Sequence, residues 1–558
     1  METALADAIN QPSAIGDKMV ETLTADVLVI GGGSAATRAA LEASRSGADV
    51  LLVDKGRVSE SGSSPHALVG FSAPMLDETD SEEQFLQDWN TAAGGICDLN
   101  LVLQCARNGR ALAHDLEKLG VGFITNPDGT WFLSKRAGHS AKRTLQAKGL
   151  GRGIHSNVIA PMREAIEQQG VRMLEGVMIT RLLKAGGRIA GAHAVREDGT
   201  PILLRAKAIV LAAGGANRLY SALCDEVVEH HCRTTGDSYA LSFHAGAPIV
   251  DMEFVQFRDS PPAGALYGAH YINAVGERVM EKYDPVNLEL APRYMMARAV
   301  YWENFEGRGP VVWRVEEGQV ARSRAPVGES QFLAGNVIPI TLMFQRLMGG
   351  ARIDESAQTA LPGLFAAGES SGGVLGGDRM QGCGFLETQT FGGIAGRSAA
   401  ALARSSDLAA IDDGALAAED QRLKARRGGA DPSALIGDIQ KIMWEQASVV
   451  SNRESLSDAI AKLQDIRRAC VDRIDGTSVF AAEEAANLAL TAQLVATAKL
   501  TREETRSSHG RTDFPEADPN WIKHVCLFRE DSGEVGVTTT PVIGSVGETE
   551  VRLSLEVA

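Results

Sequence analysis

The turn Gly31-Gly32-Gly33-Ser34-Ala35-Ala36 has the spacing that lets a backbone close on a pyrophosphate. Gly31 and Gly33 permit a tight turn and close approach, and Ala36 fills the third position, where small size lets helix and strand pack. The apolar run "ADVLVI" before the turn reads as a strand, and "TRAALEASR" after it reads as a helix. The N-terminus of that helix would then point its free N–H groups at the phosphates. Asp54 closes the second strand, 23 residues after Gly31, where a carboxylate reaches ribose hydroxyls. The pattern is that of a dinucleotide seat.

A second group of reactive side chains lies in "MEFVQFRDSPPAGALYGAHYINAVGERVMEKYDP", residues 252 to 285. His270 has an ordinary pKa near neutrality and suits proton transfer, with Tyr267 and Tyr271 as alternatives. On a strand, 267, 269 and 271 face one way and 268, 270 and 272 the other, so His270 and both tyrosines cannot share one target.

These residues need elements to hold them. Residues 1–22 are weakly patterned and read as a lead-in, and 23–250 begin with a βαβ unit. Residues 81–120 carry helical periodicity with acidic residues early, and 171–213 alternate β-branched runs with turns such as "EDGT". Residues 251–345 are aromatic, irregular and proline-punctuated, as expected of an inserted domain. A strand, a glycine-rich loop and a helix return in 346–403, followed by a polar linker at 404–433. Residues 434–524 are dominated by amphipathic helices, and 525–558 form a short-strand tail.

Composition narrows the function. The chain has 558 residues, 44% hydrophobic and 23% charged, enough for several packed domains. A net charge of −16 and the lack of a basic run oppose nucleic-acid binding. Seven scattered cysteines without a CxxC pair, and no HExxH, predict reduced packing thiols and neither a zinc nor an iron–sulfur site. No stretch reaches the roughly 18 apolar residues of a membrane span. The start of the sequence lacks an export signal, so a cytoplasmic protein without membrane insertion is expected.

Six blocks, "AGHSAKR", "TGDSYAL", "MEFVQF", "GERVMEKYDP", "LPGLFAAGE" and "REETRSSHGRTDFPEADPNWIKH", resemble the fumarate reductase and succinate dehydrogenase flavoprotein family, which includes L-aspartate oxidase. The resemblance spans most of residues 25–524. It implies an α/β fold: a Rossmann-like FAD-binding domain in two sequence parts, an inserted α+β capping domain and a C-terminal helical domain. It also implies FAD as cofactor. Asp54 and Glu369 are then ribose-contact candidates, and Ser61, Gly62, Ser63 and Ser64 lie near the pyrophosphate. Phe385 and Leu386 fall near the flavin ring. Lys55 and Gly215 join the cofactor set from the turns that carry them. Asp237 is read either as a flavin-edge contact or as a helix N-cap after Gly236. His66 falls about three positions beyond the family's linking histidine, so non-covalent FAD is expected.

The substrate motifs depart from the family. Arg258-Asp259-Ser260 replaces His-Pro-Thr after "MEFVQF", and the family's "RGEGG" shuttle motif falls on "ALYGA", placing Ala265 at the arginine. "QRLMGG" puts Gln345 at the second histidine with Arg346 beside it. "GGDRMQGCGFLE" keeps Arg379 at the substrate arginine, with Asp378, Cys383 and Gly384 as new neighbours. His139, and Arg506, His509 and Arg511, read as structural. The expectation is a FAD-dependent oxidoreductase moving a hydride between flavin N5 and a small anionic substrate other than succinate or fumarate. Arg379, His270, Arg258, Arg346 and Tyr271 are its candidate catalytic residues. The alternatives are an amine or amino-acid oxidase, the flavoprotein subunit of a complex whose iron–sulfur partner is a separate chain, and a flavin-retaining scaffold.

Overall fold

The computed structural model describes residues 13–15, 18–60, 62–66, 70–148, 157–223, 234–260, 269–315, 337–425, 429–472 and 478–544. Strand β1 (Lys18–Ile30), helix α1 (Ser34–Arg45) and strand β2 (Val50–Asp54) make the expected βαβ unit. Val27, Leu28, Val29 and Ile30 are all buried, as a central parallel strand covered on both faces requires. The sheet runs β3 (Arg172–Glu175), β2, β1, β4 (Pro201–Leu211), then the antiparallel hairpin Arg188–Arg196 and Val177–Ala185.

β1 begins earlier than sequence patterning suggests. Glu21 to Leu23 already pair with Ile202 to Leu204, so part of the expected lead-in belongs to the central sheet.

Residues 255–347 leave this sheet to form a capping domain. β5 (Val255–Ser260) pairs with β9 (Thr341–Leu347), and β6 (Ala269–Ile272), β7 (Val312–Val315) and β8 (Val337–Pro339) form a second small sheet. Helix α2 (Arg293–Phe305) packs on β5. The chain then returns: β10 (Leu364–Ala366) pairs in parallel with the C-terminal end of β4, and α3 (Cys383–Arg404) packs along α1. That packing needs glycine on α3, because a Cβ at Gly396 would lie 2.2 Å from the Ala39 carbonyl oxygen.

The remaining helices are α4 (Asp413–Ala425), α5 (Pro432–Gln446), α6 (Arg453–Asp472) and α7 (Val479–Thr501). α4 lies inside the stretch expected to be linker. Its polarity is internal: Glu419 and Arg422 form a cluster with Arg181 and Glu483, which ties α4 to the sheet and to α7. α7 is alanine-rich and buried on nearly every side, so α5, α6, the helix Asp237–Ala245 and the strand Lys523–Arg529 can close around it. The tail is also structural. β11 (Lys523–Arg529) pairs with Ile249–Val250 and with β12 (Val535–Pro541), which places His524 between Asp98 and Asp251.

Among the described residues no helix is long and apolar enough to cross a membrane. Cys97, Cys105, Cys383, Cys470 and Cys526 are buried and form no disulfide among the described residues. Ser61, Cys224, Cys232, Ala265 and Tyr267, and the side chain of His66, lie outside the described residues.

Candidate active site

The glycine turn sits at the C-terminal ends of β1 and β4. Gly31 has φ +118°, and a Cβ there would lie 2.2 Å from the Ala212 carbonyl oxygen, so the two strands approach at this point only with glycine. α1 starts after extended Gly33 with no side-chain cap, leaving first-turn N–H groups for an anionic ligand. The Ser34 N–H donates to Ser64 Oγ at 3.1 Å, and the Ser34 hydroxyl donates to Thr388 Oγ1 at 3.1 Å. Asn217 Nδ2 donates to Ser63 Oγ at 2.7 Å, so the serine turn after Gly62 folds over the mouth of the glycine turn. Ala35 and Ala36 are buried beneath it.

Asp54 accepts the Gly56 N–H at 2.7 Å. A Cβ at Gly32 would come within 2.7 Å of its other oxygen, so the glycine leaves room for this carboxylate. Glu369 accepts the Leu347 N–H at 3.0 Å and lies against Gly215, where a Cβ would be 2.2 Å from Glu369 Oε1. Phe385 and Leu386 open α3, with the Phe385 ring edge-on to Phe71 at 6.0 Å. The cradle thus joins an uncapped helix N-terminus, two carboxylates and an apolar shelf. Such a donor set fits a flavin dinucleotide.

Asp237 does not cap its helix, and it pairs with Lys55. Asp237 is the first residue of its helix and makes no cap; its carboxylate lies 2.7 Å from Lys55 Nζ, which is also 2.9 Å from Glu484 on α7. Burial disfavours both charges, yet the pair prevails: Lys55 is held above its ordinary pKa and Asp237 below its own. Asn487 donates to the same carboxylate at 3.0 Å, so this group links the flavin domain to the helical domain.

A second cluster forms where the capping domain meets α3. Arg346 and Arg379 each bring a terminal nitrogen to Gly384, 3.1 and 3.2 Å from the place a Cβ would occupy. Arg379 Nε is buried without a partner, and burial, together with Arg293 and Arg346, lowers its guanidinium to about 9. Arg293, at the first position of α2, donates to Gln345, and burial lowers its pKa against the pull of Asp259 and Asp378. Asp378 accepts from Gln256 and from the Arg379 N–H; burial raises its carboxyl. Glu387, behind Arg346, is pushed up to about 7 by burial.

Arg293 is a site residue that the sequence motifs miss, although Pro292-Arg293 at a helix start is a visible local signal. Its role depends on α2 packing against β5, which no local pattern reports. Tyr271 is fully buried, 4.3 Å from the Trp313 ring and beside Asp259. His270 faces the other side of β6, opposite Arg314 in register. Arg258 is partly exposed on β5 next to Asp259. His139 bonds Gln381 O at 2.8 Å and so steadies the loop that carries Arg379. Arg506 donates to Gly94 O at 2.8 Å, Arg511 to Lys499 O at 2.9 Å, and His509 Nε2 lies 3.1 Å from Arg502 O.

A two-part dinucleotide domain, an inserted cap and a helical domain define a flavin-dependent oxidoreductase. The FAD binding domain family matches residues 26–385, and the Fumarate reductase flavoprotein C-term family matches 437–552. A subunit of the CoM/CoB fumarate reductase of Methanothermobacter marburgensis is 32% identical, covering 91% of this chain and 98% of that protein. An L-aspartate oxidase of Caulobacter vibrioides is 32% identical over 89% of this chain and 94% of its own length. The solved E. coli quinol fumarate reductase FrdA aligns with a TM-score of 0.83 at 25% identity, covering 94% of this chain and 97% of that one. The chain belongs to the fumarate reductase and succinate dehydrogenase flavoprotein family, and it is a FAD-dependent oxidoreductase.

Proposed function

We propose that the enzyme moves a hydride between flavin N5 and a small organic substrate carrying at least one carboxylate. The observation that carries this reading is Arg379 with Arg293. Both side chains are only partly exposed where cap and α3 meet, Arg379 Nε is buried, and among the described residues neither has a carboxylate within 4 Å. Partly buried cations without a carboxylate partner are costly, and an anionic substrate offsets that cost.

When bound, FAD supplies the two-electron acceptor or donor. The chain's own residues do the rest. Arg379 fixes the substrate carboxylate through a planar fork of donors. Arg293, with its pKa lowered by burial, exchanges a proton with the substrate carbon next to the one that gives or takes hydride. Gln345 orients Arg293, and Asp259 and Asp378 supply the opposite charge that keeps it protonated between turnovers. The cap excludes water from this region, which strengthens each of these interactions. On β6, Tyr271 is enclosed against Trp313 and Asp259, and His270 faces the opposite side of the strand, so neither takes the proton-exchange role in this reading.

Arg258 and Gln345 stand where the family's substrate histidines are expected, which favours a substrate other than succinate or fumarate. FAD is held without a covalent link in this reading, and intact mass after denaturation tests it: an added FAD mass would overturn it. A second reading, an amino-acid oxidase, is favoured by the likeness to L-aspartate oxidase. The fumarate reductase relative is one chain of a larger enzyme, which supports a third element, a separate electron-transfer partner.

The test is an anaerobic flavin-reduction screen with succinate, L-aspartate and other carboxylates, paired with reoxidation of reduced enzyme by fumarate and other unsaturated acids. A carboxylate that changes the flavin spectrum within the mixing time supports the reading, and hydrogen peroxide formed with L-aspartate in air selects the oxidase. No spectral response to any acid, with a response to uncharged analogues, would reject it.

A further inference from the structure

Arg346 stands apart from the other two arginines. It precedes the last residue of β9, and alternation along the strand turns Gln345 toward Arg293 in the cap and Arg346 toward the flavin domain. The strand end is pinned there by the Leu347 N–H bond to Glu369 Oε1 at 3.0 Å. Arg346 is 7% exposed; its Nε donates to Leu347 O at 3.2 Å, and its nearest carboxylate oxygen is Glu387 Oε2 at 3.8 Å. Among the described residues its two terminal nitrogens make no hydrogen bond.

Those nitrogens lie at the start of α3. This helix has 22 residues, begins after left-handed Gly382, and has no side-chain cap; the Cys383 N–H donates to Met380 O at 3.3 Å, and the following first-turn N–H groups have no side-chain acceptor. Two other buried polar atoms near this turn also lack partners: Arg379 Nε and Glu387 Oε2. The same turn contributes Phe385 and Leu386 to the cofactor cradle, and Glu369 closes its other side. A guanidinium and a helix N-terminus therefore converge where the ring system of FAD is seated.

We propose that Arg346 faces the cofactor rather than the substrate, stabilises the negative charge the isoalloxazine gains on reduction, and is tempered by Glu387 behind it. Hydride transfer from a substrate brings two electrons and one proton to N5 and breaks the substrate C–H bond. The neutral ring system becomes an anion unless a second proton follows. A cation and a helix N-terminus beside it favour the reduced form, so they raise the reduction potential. The side chain at this position then sets which substrates the flavin can oxidise or reduce. This inference rests on the FAD seat and not on the substrate reading, because its test contains no substrate.

The experiment measures the midpoint potential of the holoenzyme against a reference dye, and separately the affinity of the apoenzyme for oxidised and reduced FAD. For R346Q the ratio of the two affinities should shift about a hundredfold toward the oxidised form, which is about 60 mV lower for a two-electron couple. R346K should keep most of the wild-type value. E387Q should move the other way by about tenfold, or about 30 mV upward. If R346Q fails to retain FAD, R346K and E387Q carry the test. An R346Q potential within about twofold of wild type in that ratio, or an E387Q potential that falls, would overturn the proposal. A failed substrate screen with these shifts intact would reject only the substrate reading.

Discussion

Arg346 and Arg379 reach Gly384 from opposite domains, with one terminal nitrogen each 3.1 and 3.2 Å from the position of an absent Cβ. Two cations approach each other here only because the helix turn between them has no side chain and ends in an uncapped N-terminus. The spacing sets the charge density of the site.

Gly384→Ser tests that spacing. The contacts are to the far ends of flexible side chains, so stability should change by less than about 1 kcal/mol. The two guanidiniums should separate, and KM for a carboxylate substrate should rise several-fold while the melting temperature stays near wild type. Steady-state kinetics with thermal unfolding of the same preparation checks both.

Arg293→Lys tests proton exchange. Lysine keeps the charge but loses the planar fork that engages Gln345. The expected result is a fall in kcat of about 10²-fold or more with KM changed far less, the size of a lost general acid. Arg293→Gln should be at least as low. An Arg293→Lys enzyme with unchanged kcat would remove Arg293 from the reaction.

His524 makes a pH prediction. Burial opposes its charge, but Asp251 at 2.8 Å and Asp98 at 3.0 Å raise its pKa to about 10. A raised histidine pKa contributes stability that is full below the unfolded value of about 6.5 and is lost as pH rises through the folded value. The melting temperature should therefore decline between pH 7 and pH 10. His524→Gln should lower stability by about 3–5 kcal/mol and flatten that decline, because two buried carboxylates lose their common partner.

Lys55→Met tests whether Lys55 ties domains or binds cofactor. Its removal leaves Asp237 without its cation and Glu484 with Arg218 alone, at 3.5 Å. Stability should fall by about 1–3 kcal/mol, with FAD affinity within about threefold of wild type. A large loss of FAD affinity with normal stability would return Lys55 to the cofactor.

The fold is legible where one local rule and one long-range consequence coincide. Gly31, Gly33 and Asp54 sit at fixed offsets along a βαβ unit, and close approach to Ala212 and Val58 follows from that geometry. The polar stretch 404–433 hides α4 because its charges are satisfied internally by Arg181 and Glu483, a pairing that sequence distance conceals. The tail gives little warning of β11, since Leu527 and Val525 find their partners in Ile249 and Asp251, more than 270 residues earlier. The candidate site divides the same way. Arg379 and Arg346 stand in recognisable blocks, whereas Arg293 acquires its setting only when α2 packs on β5. Asp237 shows the converse: a residue type suited to capping falls one position inside the helix, after Gly236, and its carboxylate pairs with Lys55 of the same domain.

In the proposed reaction a partly buried arginine pair, Arg293 and Arg379, selects a carboxylate for hydride exchange with FAD. Anaerobic stopped-flow spectroscopy tests it most directly, following flavin absorbance with each acid and its neutral amide, in wild type and in Arg379→Gln. An acid should exchange hydride with the flavin, its amide should do so at least about 100-fold more slowly, and Arg379→Gln should abolish the difference. Equal rates for acid and amide in the wild-type enzyme would contradict it.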